Sequence, residues 1–192
     1  MSDSIRAFLA IPLSPEAVEA VSRISGRLRS RLPEARFVPR HQLHLTLHFF
    51  EALSRDQVEA VQEAMRCAAL SSRPFSIEFH GLGVFGDRKR PRVLWLGVRE
   101  GALPCRDLHA RLSEELSARG VAVEGRPFSP HLTLARFRTP PSGGLDAVLG
   151  SALGPIRDQA SRIVLFESRL TPHGAEHTPR ADHRLGESAG PT

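Results

Sequence analysis

The chain has two cysteines, a single lysine and no apolar run of membrane-spanning length, and each shortage narrows what it can be. Cys67 and Cys105 show no CxxC-type spacing and fall in segments with helical patterning, so neither a disulfide framework nor a zinc knuckle is expected; both read as buried free thiols. Without a long apolar run there is no membrane partner to expect. The opening MSDSIRAFLAIPLSPEAVEA carries no basic segment ahead of its short apolar stretch, which argues against a secretory signal and for a cytoplasmic protein. Lys89 is the only lysine among 26 basic residues, and the formal net charge is +5. Arginine's planar fork suits phosphate, so this composition permits a polyanionic partner without requiring one. A length of 192 residues, 41% hydrophobic and 24% charged, is ordinary for one globular domain with two similar lobes. We expect residues 1–185 to form it, residues 186–192 to be a frayed tail, and the protein to be a monomer by default.

What the chain has in duplicate is a tetrapeptide. His44-Leu45-Thr46-Leu47 recurs as His131-Leu132-Thr133-Leu134, and each copy sits in a run that alternates apolar with polar. On a strand the His and Thr of each copy share one face, about 6.5 to 7 Å apart, while the leucines take the other. Around the first copy the alternation predicts Leu43, Leu45, Leu47 and Phe49 on the apolar side and His44, Thr46 and His48 on the polar side.

The remaining segments supply a frame. Arg6 to Ile11 reads as a buried strand, and Ser14-Pro15 as a helix start followed by an apolar stripe of Ala17, Val21, Ile24 and Leu28; Arg23, Arg27 and Arg31 take the solvated face. Ser54 and Gln57 form a capping box for a second helix, with Leu53 and Val58 as a staple, and Pro74 ends that segment. Phe75 to Phe85 and Val93 to Val98 read as strands joined through a loop holding Arg88, Lys89, Arg90 and Arg92; such a tip is either a solvated turn or a steering element for nucleic acid. Leu108, Leu112 and Leu116 mark a third helix ending at Gly120, Phe128 to Phe137 a strand, Leu145 to Leu153 a short helix, and Ile163 to Leu170 and Thr178 to Leu185 two last strands. Strands outnumber what a parallel α/β repeat provides, so the fold class is α+β: antiparallel sheet with helices packed outside, in two pseudo-symmetric lobes.

Two His-x-Thr strands side by side present two imidazoles and two hydroxyls to one cavity. A neutral imidazole can take a proton from water while an imidazolium gives one to a leaving oxygen, and the hydroxyls can hold the non-bridging oxygens of a phosphate. That suits in-line displacement at a phosphodiester with no metal and no cofactor. The nine histidines make metal binding the obvious rival, but His44 and His48 on one strand stand about 13 Å apart, too far to share an ion. His173, His177 and His183, in a region rich in proline and glycine, read as surface residues. The reading from a different class is a nucleotide- or RNA-binding module that uses the same cleft without turnover. Phe49 and Phe128 could stack on bases, with core packing the simpler expectation for each.

The blocks RAFLAIPL, VPRHQLHLTLHFF, PRVLWLGV, FSPHLTLARFR and LFESRLTPHGAEHT resemble the RNA 2',3'-cyclic phosphodiesterases, also called 2'-5' RNA ligases, of the 2H phosphoesterase superfamily. The resemblance covers nearly the whole chain and implies an active-site cleft between two lobes, lined by the motifs. It implies metal-independent opening of 2',3'-cyclic phosphate ends of RNA, or of cyclic nucleotides, to 2'-phosphates, with reversible 2'-5' ligation in some members. By the same resemblance His44 is the general acid, His131 the general base, and Thr46, Thr133 and Arg136 bind phosphate. Two features depart from the expected pattern. Phe49-Phe50-Glu51-Ala52-Leu53 stands where the family often has a Leu-Gly-Glu-like turn, and strict alternation puts Arg136 on the face opposite His131, so its role requires a bulge, a twist or the strand's end.

Overall fold

The strand reading of both tetrapeptides holds, and the pairing of those two strands organises the sheet. In the computed structural model, which describes residues 4–172 and 174–187, the strands are β1 (Ile5–Pro12), β2 (Ala35–Phe37), β3 (His44–Leu53), β4 (Phe75–Asp87), β5 (Arg90–Val98), β6 (His131–Phe137), β7 (Ile156–Ala160), β8 (Arg162–Thr171) and β9 (Gly174–Arg184). The helices are α1 (Pro15–Arg29), α2 (Arg55–Leu70), α3 (Ala102–Ala118) and the single turn α4 (Asp146–Leu149), with a 3₁₀ turn at Arg40–Gln42. All pairings are antiparallel, in the order β7-β4-β5-β6-β3-β1-β8-β9, with β2 beside the far end of β6. The two four-stranded halves meet where β3 and β6 touch at one residue pair, Leu45 with Leu132. Each half repeats a strand, a helix and a motif strand, β1-α1-β3 in one and β5-α3-β6 in the other.

The helices form for the reasons their ends advertise. Ser14 caps α1 by accepting from the Ala17 N–H, with Pro15 at the first helical position, and Ala17, Val21, Ile24 and Leu28 are buried. The Ser54–Gln57 capping box opens α2, Ser54 Oγ accepting from the Gln57 N–H and Gln57 Oε1 from the Ser54 N–H. Here α1 lies against β2 and β7, α2 against β3, β8 and β9, and α2 and α3 on one another. One apolar cluster runs through both halves. Cys105 is buried as expected, whereas Cys67 is only half-buried, its Sγ 3.3 Å from an Arg119 guanidinium nitrogen. Strands β2 and β7 are too short to register as patterns. The strand expected from Phe128 begins only at His131, and the helix expected over 145–153 shrinks to one turn. Of the expected tail, residues 188–192 lie outside the described residues, as does His173, while Gly186 donates its N–H to the Ala69 carbonyl.

The main correction concerns the alternation after the first motif. Between β1 and β3 the register steps from Ala10 opposite Thr46 to Leu9 opposite His48, leaving Leu47 as an extra residue. This bulge reverses the phase. His48 turns inward and is 4% exposed, while Phe49 turns out to 40%, the reverse of what strict alternation predicts. His48 Nε2 lies 3.2 Å from the His109 carbonyl, an oxygen that only accepts, so this nitrogen carries the proton. The His48 ring stacks on His109 at 4.2 Å, and His109 on Phe128 at 4.2 Å, tying β3 to α3 and to the loop before β6.

Burial, then the neighbouring His109, pushes His48 down to about 4 against the contribution of its hydrogen bond. A folded value below the unfolded 6.5 means that stability is complete above pH 6.5 and is lost as pH falls through 4. We expect the urea midpoint to drop across that window, with His48 accounting for about 3 kcal/mol of the loss. A His48→Leu variant should show a shallower acid slope, and an unchanged slope would contradict the assignment.

Candidate active site

Because β3 and β6 run antiparallel through the Leu45–Leu132 pair, the register sets His44 across from Thr133 and Thr46 across from His131. Each imidazole therefore has the other motif's hydroxyl as its cross-strand neighbour. The two histidines stand on a diagonal, about 7 to 8 Å apart at the backbone.

Both imidazoles are anchored alike. His44 Nδ1 lies 2.8 Å from the Gln42 carbonyl and His131 Nδ1 lies 2.7 Å from the Ser129 carbonyl, in each case two residues upstream. A carbonyl only accepts, so each Nδ1 carries a proton and each neutral ring leaves the Nε2 lone pair for chemistry. Gln42 is itself held, its side-chain amide donating to the Ala175 carbonyl at 2.5 Å. Aromatic rings set the ring planes: Phe8 stacks on His44 at 4.6 Å, and Phe85 meets His131 edge-on at 4.7 Å.

A cleft of about 430 Å³ opens beside this pair, lined by His44, Thr46, Thr133 and Arg136 together with Arg6, Arg36, Phe49 and His177. His131 flanks it rather than lining it. Of the three routes open to Arg136, a bulge, a twist or the strand's end, it reaches the cleft through a bulge. Between β5 and β6 the register steps from Trp95 opposite Thr133 to Leu94 opposite Ala135, leaving Leu134 extra. The bulge falls at the same place in both motifs, three residues after the histidine, so the residue five after it turns into the cleft: Phe49 in one half, Arg136 in the other.

Sequence patterning missed several lining residues. Arg6 and Phe8 were hidden in a strand read as wholly buried; Arg6 places its guanidinium over the Phe49 ring at 4.7 Å. His177, expected at the surface, packs edge-on against Phe8 at 4.8 Å, with its ring 5.9 Å from His44. The only signal for it is the alternation of Ala175, His177 and Pro179, which acquires meaning once β9 is known to border β8. His183 is half-buried at the far end of β9, opposite Ile163. The basic residues Arg88, Lys89, Arg90 and Arg92 are exposed at the tip of the β4–β5 hairpin.

The profile of the 2'-5' RNA ligase superfamily matches residues 12–170. The chain belongs to that superfamily. That superfamily is one of 2H phosphoesterases. A Geobacillus stearothermophilus protein named RNA 2',3'-cyclic phosphodiesterase is 40% identical over 129 residues, 67% of this chain and 41% of that protein. A Methanothermobacter thermautotrophicus protein of the same name is 33% identical over 184 residues, 94% of this chain and 99% of the relative. A solved structure from Thermus thermophilus aligns with a TM-score of 0.76 at 25% identity, covering 96% of this chain and all of that one. LigT from E. coli aligns at 0.74 and 23% identity, over 97% of this chain and all of its own, and shows the shared fold.

Electrostatically the groups around the cleft favour neutral imidazoles. Burial pushes His44 down to about 4, and His177, Arg136 and His131 push in the same direction, against the hydrogen bond to Gln42. Burial and Arg136 also lower His131, against the hydrogen bond to Ser129. An anion between the rings reverses this balance, because it stabilises the charged form. In histidine-detected NMR titrations, a saturating 2'-nucleotide should therefore raise the His44 pKa by about 1 to 3 pH units. A pKa unmoved by the bound nucleotide would place the phosphate elsewhere.

Proposed function

We propose that the protein hydrolyses the 2',3'-cyclic phosphate ends of RNA to 2'-phosphates, with His44 as general acid, His131 as general base, and Thr46, Thr133 and Arg136 holding the phosphate. The observation that carries this reading is the mirrored pair of Nδ1-anchored imidazoles, each with the other motif's threonine across from it. The curated relatives named RNA 2',3'-cyclic phosphodiesterase support the substrate class.

In this mechanism His131 Nε2 takes a proton from water as the water oxygen bonds to phosphorus. The P–O3' bond breaks in line with that attack, and protonated His44 gives its Nε2 proton to O3'. The cyclic phosphate's own negative charge brings His44 into its protonated form on binding. The same charge acts on His131, and Arg136 opposes the protonation of both rings. Threonine hydroxyls donate to the non-bridging oxygens and the Arg136 guanidinium can donate two parallel hydrogen bonds to the phosphate. Arg6 and Arg36, which also line the cleft, add positive charge where an RNA backbone would run.

The test is hydrolysis of a nucleoside 2',3'-cyclic phosphate in EDTA, with the product resolved as the 2'- or 3'-phosphate. Release of the 2'-phosphate should fall by two or more decades in either His44→Ala or His131→Ala, with a bell-shaped pH profile in the native protein. Arg136→Ala should act mainly by raising KM. A 3'-phosphate product would reverse the assignment of the leaving oxygen, and activity that requires an added divalent ion would contradict the mechanism.

A further inference from the structure

The two carbonyls that anchor the imidazoles are held in different ways. Gln42, which anchors His44, is tied to β9 through its own side-chain amide. Ser129, which anchors His131, lies in a segment, residues 122–130, that has no helix or strand. Among the described residues the backbone of that segment makes no hydrogen bond to other backbone. Pro130 drives Ser129 to an extended conformation, but this sets the carbonyl only relative to its own segment. The side chain placed to fix the segment against the rest of the fold is Phe128, whose ring lies 4.2 Å from that of His109 on α3 and within 3° of parallel to it. His109 is in turn stacked on the buried His48 at 4.2 Å and 10°. His48 is held against rotation, because its Nε2 proton goes to the His109 carbonyl, which also accepts from Ser113 Oγ at 2.9 Å.

We propose that the ring stack of His48, His109 and Phe128 is the positioning device for His131: it holds the Ser129 carbonyl where that carbonyl keeps the imidazole proton on Nδ1. The inference rests on the reading of His131 as general base. A neutral imidazole carries its proton on either nitrogen, and the hydrogen bond it makes decides which. Only the Nδ1–H form leaves the Nε2 lone pair free to take a proton from water. A Ser129 carbonyl that swings away releases that choice and frees the ring to turn. Stacked faces suit the task, because the segment contains Pro127 and Pro130, neither of which has an N–H with which to tie it down. The stack begins on β3 beyond its bulge and ends on the residue before Ser129, so the strand of His44 and the anchor of His131 are referred to one buried point. His109 and Phe128 are positioning residues, acting on the reaction through the Ser129 carbonyl and the His131 ring.

Native protein, Phe128→Ala, Phe128→Tyr and His109→Ala should be compared by histidine nitrogen NMR and by hydrolysis of a nucleoside 2',3'-cyclic phosphate. In the native protein His131 should show a single Nδ1–H form whose proton is protected from exchange. Phe128→Ala should replace it with an exchange average of both forms at His131, while the His44 signals, anchored through Gln42, stay as they are. In the same variant kcat should fall at least tenfold with KM within about twofold, because Thr46, Thr133 and Arg136 still hold the phosphate. Phe128→Tyr, which keeps the stacked face, should restore both readouts. His109→Ala removes the middle ring at a half-buried helical position where alanine is the best helix former, so it tests the same device if Phe128→Ala does not fold, and the same pattern is expected. An unchanged Nδ1–H signal at His131 in either folded alanine variant would overturn the proposal, as would a changed signal with kcat untouched. Loss of the His44 and His131 signals together would also overturn it, since the stack would then only support the fold. If the native protein hydrolyses no cyclic phosphate, the phosphodiesterase reading fails, and the NMR signature alone decides whether the stack sets the His131 proton.

Discussion

The two halves of the sheet meet at the Leu45–Leu132 pair, and the antiparallel sense of that contact constrains everything near it. Both leucines are fully buried, so neither strand can slip by one residue without turning a leucine into the cleft and a histidine into the core. With the register held there, each motif's histidine faces the other's threonine. The bulge three residues beyond each histidine then releases the strict alternation where the chain needs a different side chain in the cleft. Because the two halves place the bulge identically, it belongs to the repeated unit rather than to either copy.

The same burial that fixes the geometry sets the charge state. His44 and His131 are surrounded by aromatic rings and arginines, with no acidic group among the causes that shift them, so the protein's own groups favour the neutral form of both. An imidazole in that condition is a competent base and a poor acid. It becomes an acid when an anion enters and offsets both desolvation and the arginine charge. In the proposed mechanism the substrate's phosphate is then part of the acid-base machinery. Neighbouring arginines attract that phosphate but cannot protonate its leaving oxygen, a division of labour that follows from arginine's fixed charge and histidine's titratable one.

Most of the secondary structure was legible because it is written in short-range chemistry: the Ser14-Pro15 cap, the Ser54–Gln57 box, the leucine stripe of α3 and the duplicated His-Leu-Thr-Leu. The bulges were not, since nothing in Leu47 or Leu134 distinguishes an extra residue from a paired one; the information lies in the partner strands β1 and β5. A single unseen bulge was enough to place His48 and Phe49 on the wrong faces, while a bulge at the equivalent point is what brings Arg136 into the cleft. His177 was out of reach for a related reason. Its neighbours Phe8 and His44 are distant in sequence, and only the strand order β3-β1-β8-β9 brings them together.

The pseudo-symmetry also shows where the two halves must differ. Two identical halves would present identical histidines to the phosphate, with nothing to choose which gives a proton and which takes one. Equivalent positions break the tie. Phe49 on β3 answers to Arg136 on β6, Ala10 on β1 to Trp95 on β5, and Phe8 on β1 to Val93 on β5. His44 therefore lies flat against the Phe8 ring, whereas the His131 strand carries the guanidinium and is flanked by the exposed Phe85. Arg136 lowers the pKa of both rings, so the difference between them lies in what else each one meets: Phe8 and His177 at His44, Phe85 and Trp95 at His131. The duplicated motif supplies two like groups, and the unmatched residues around it give them different surroundings.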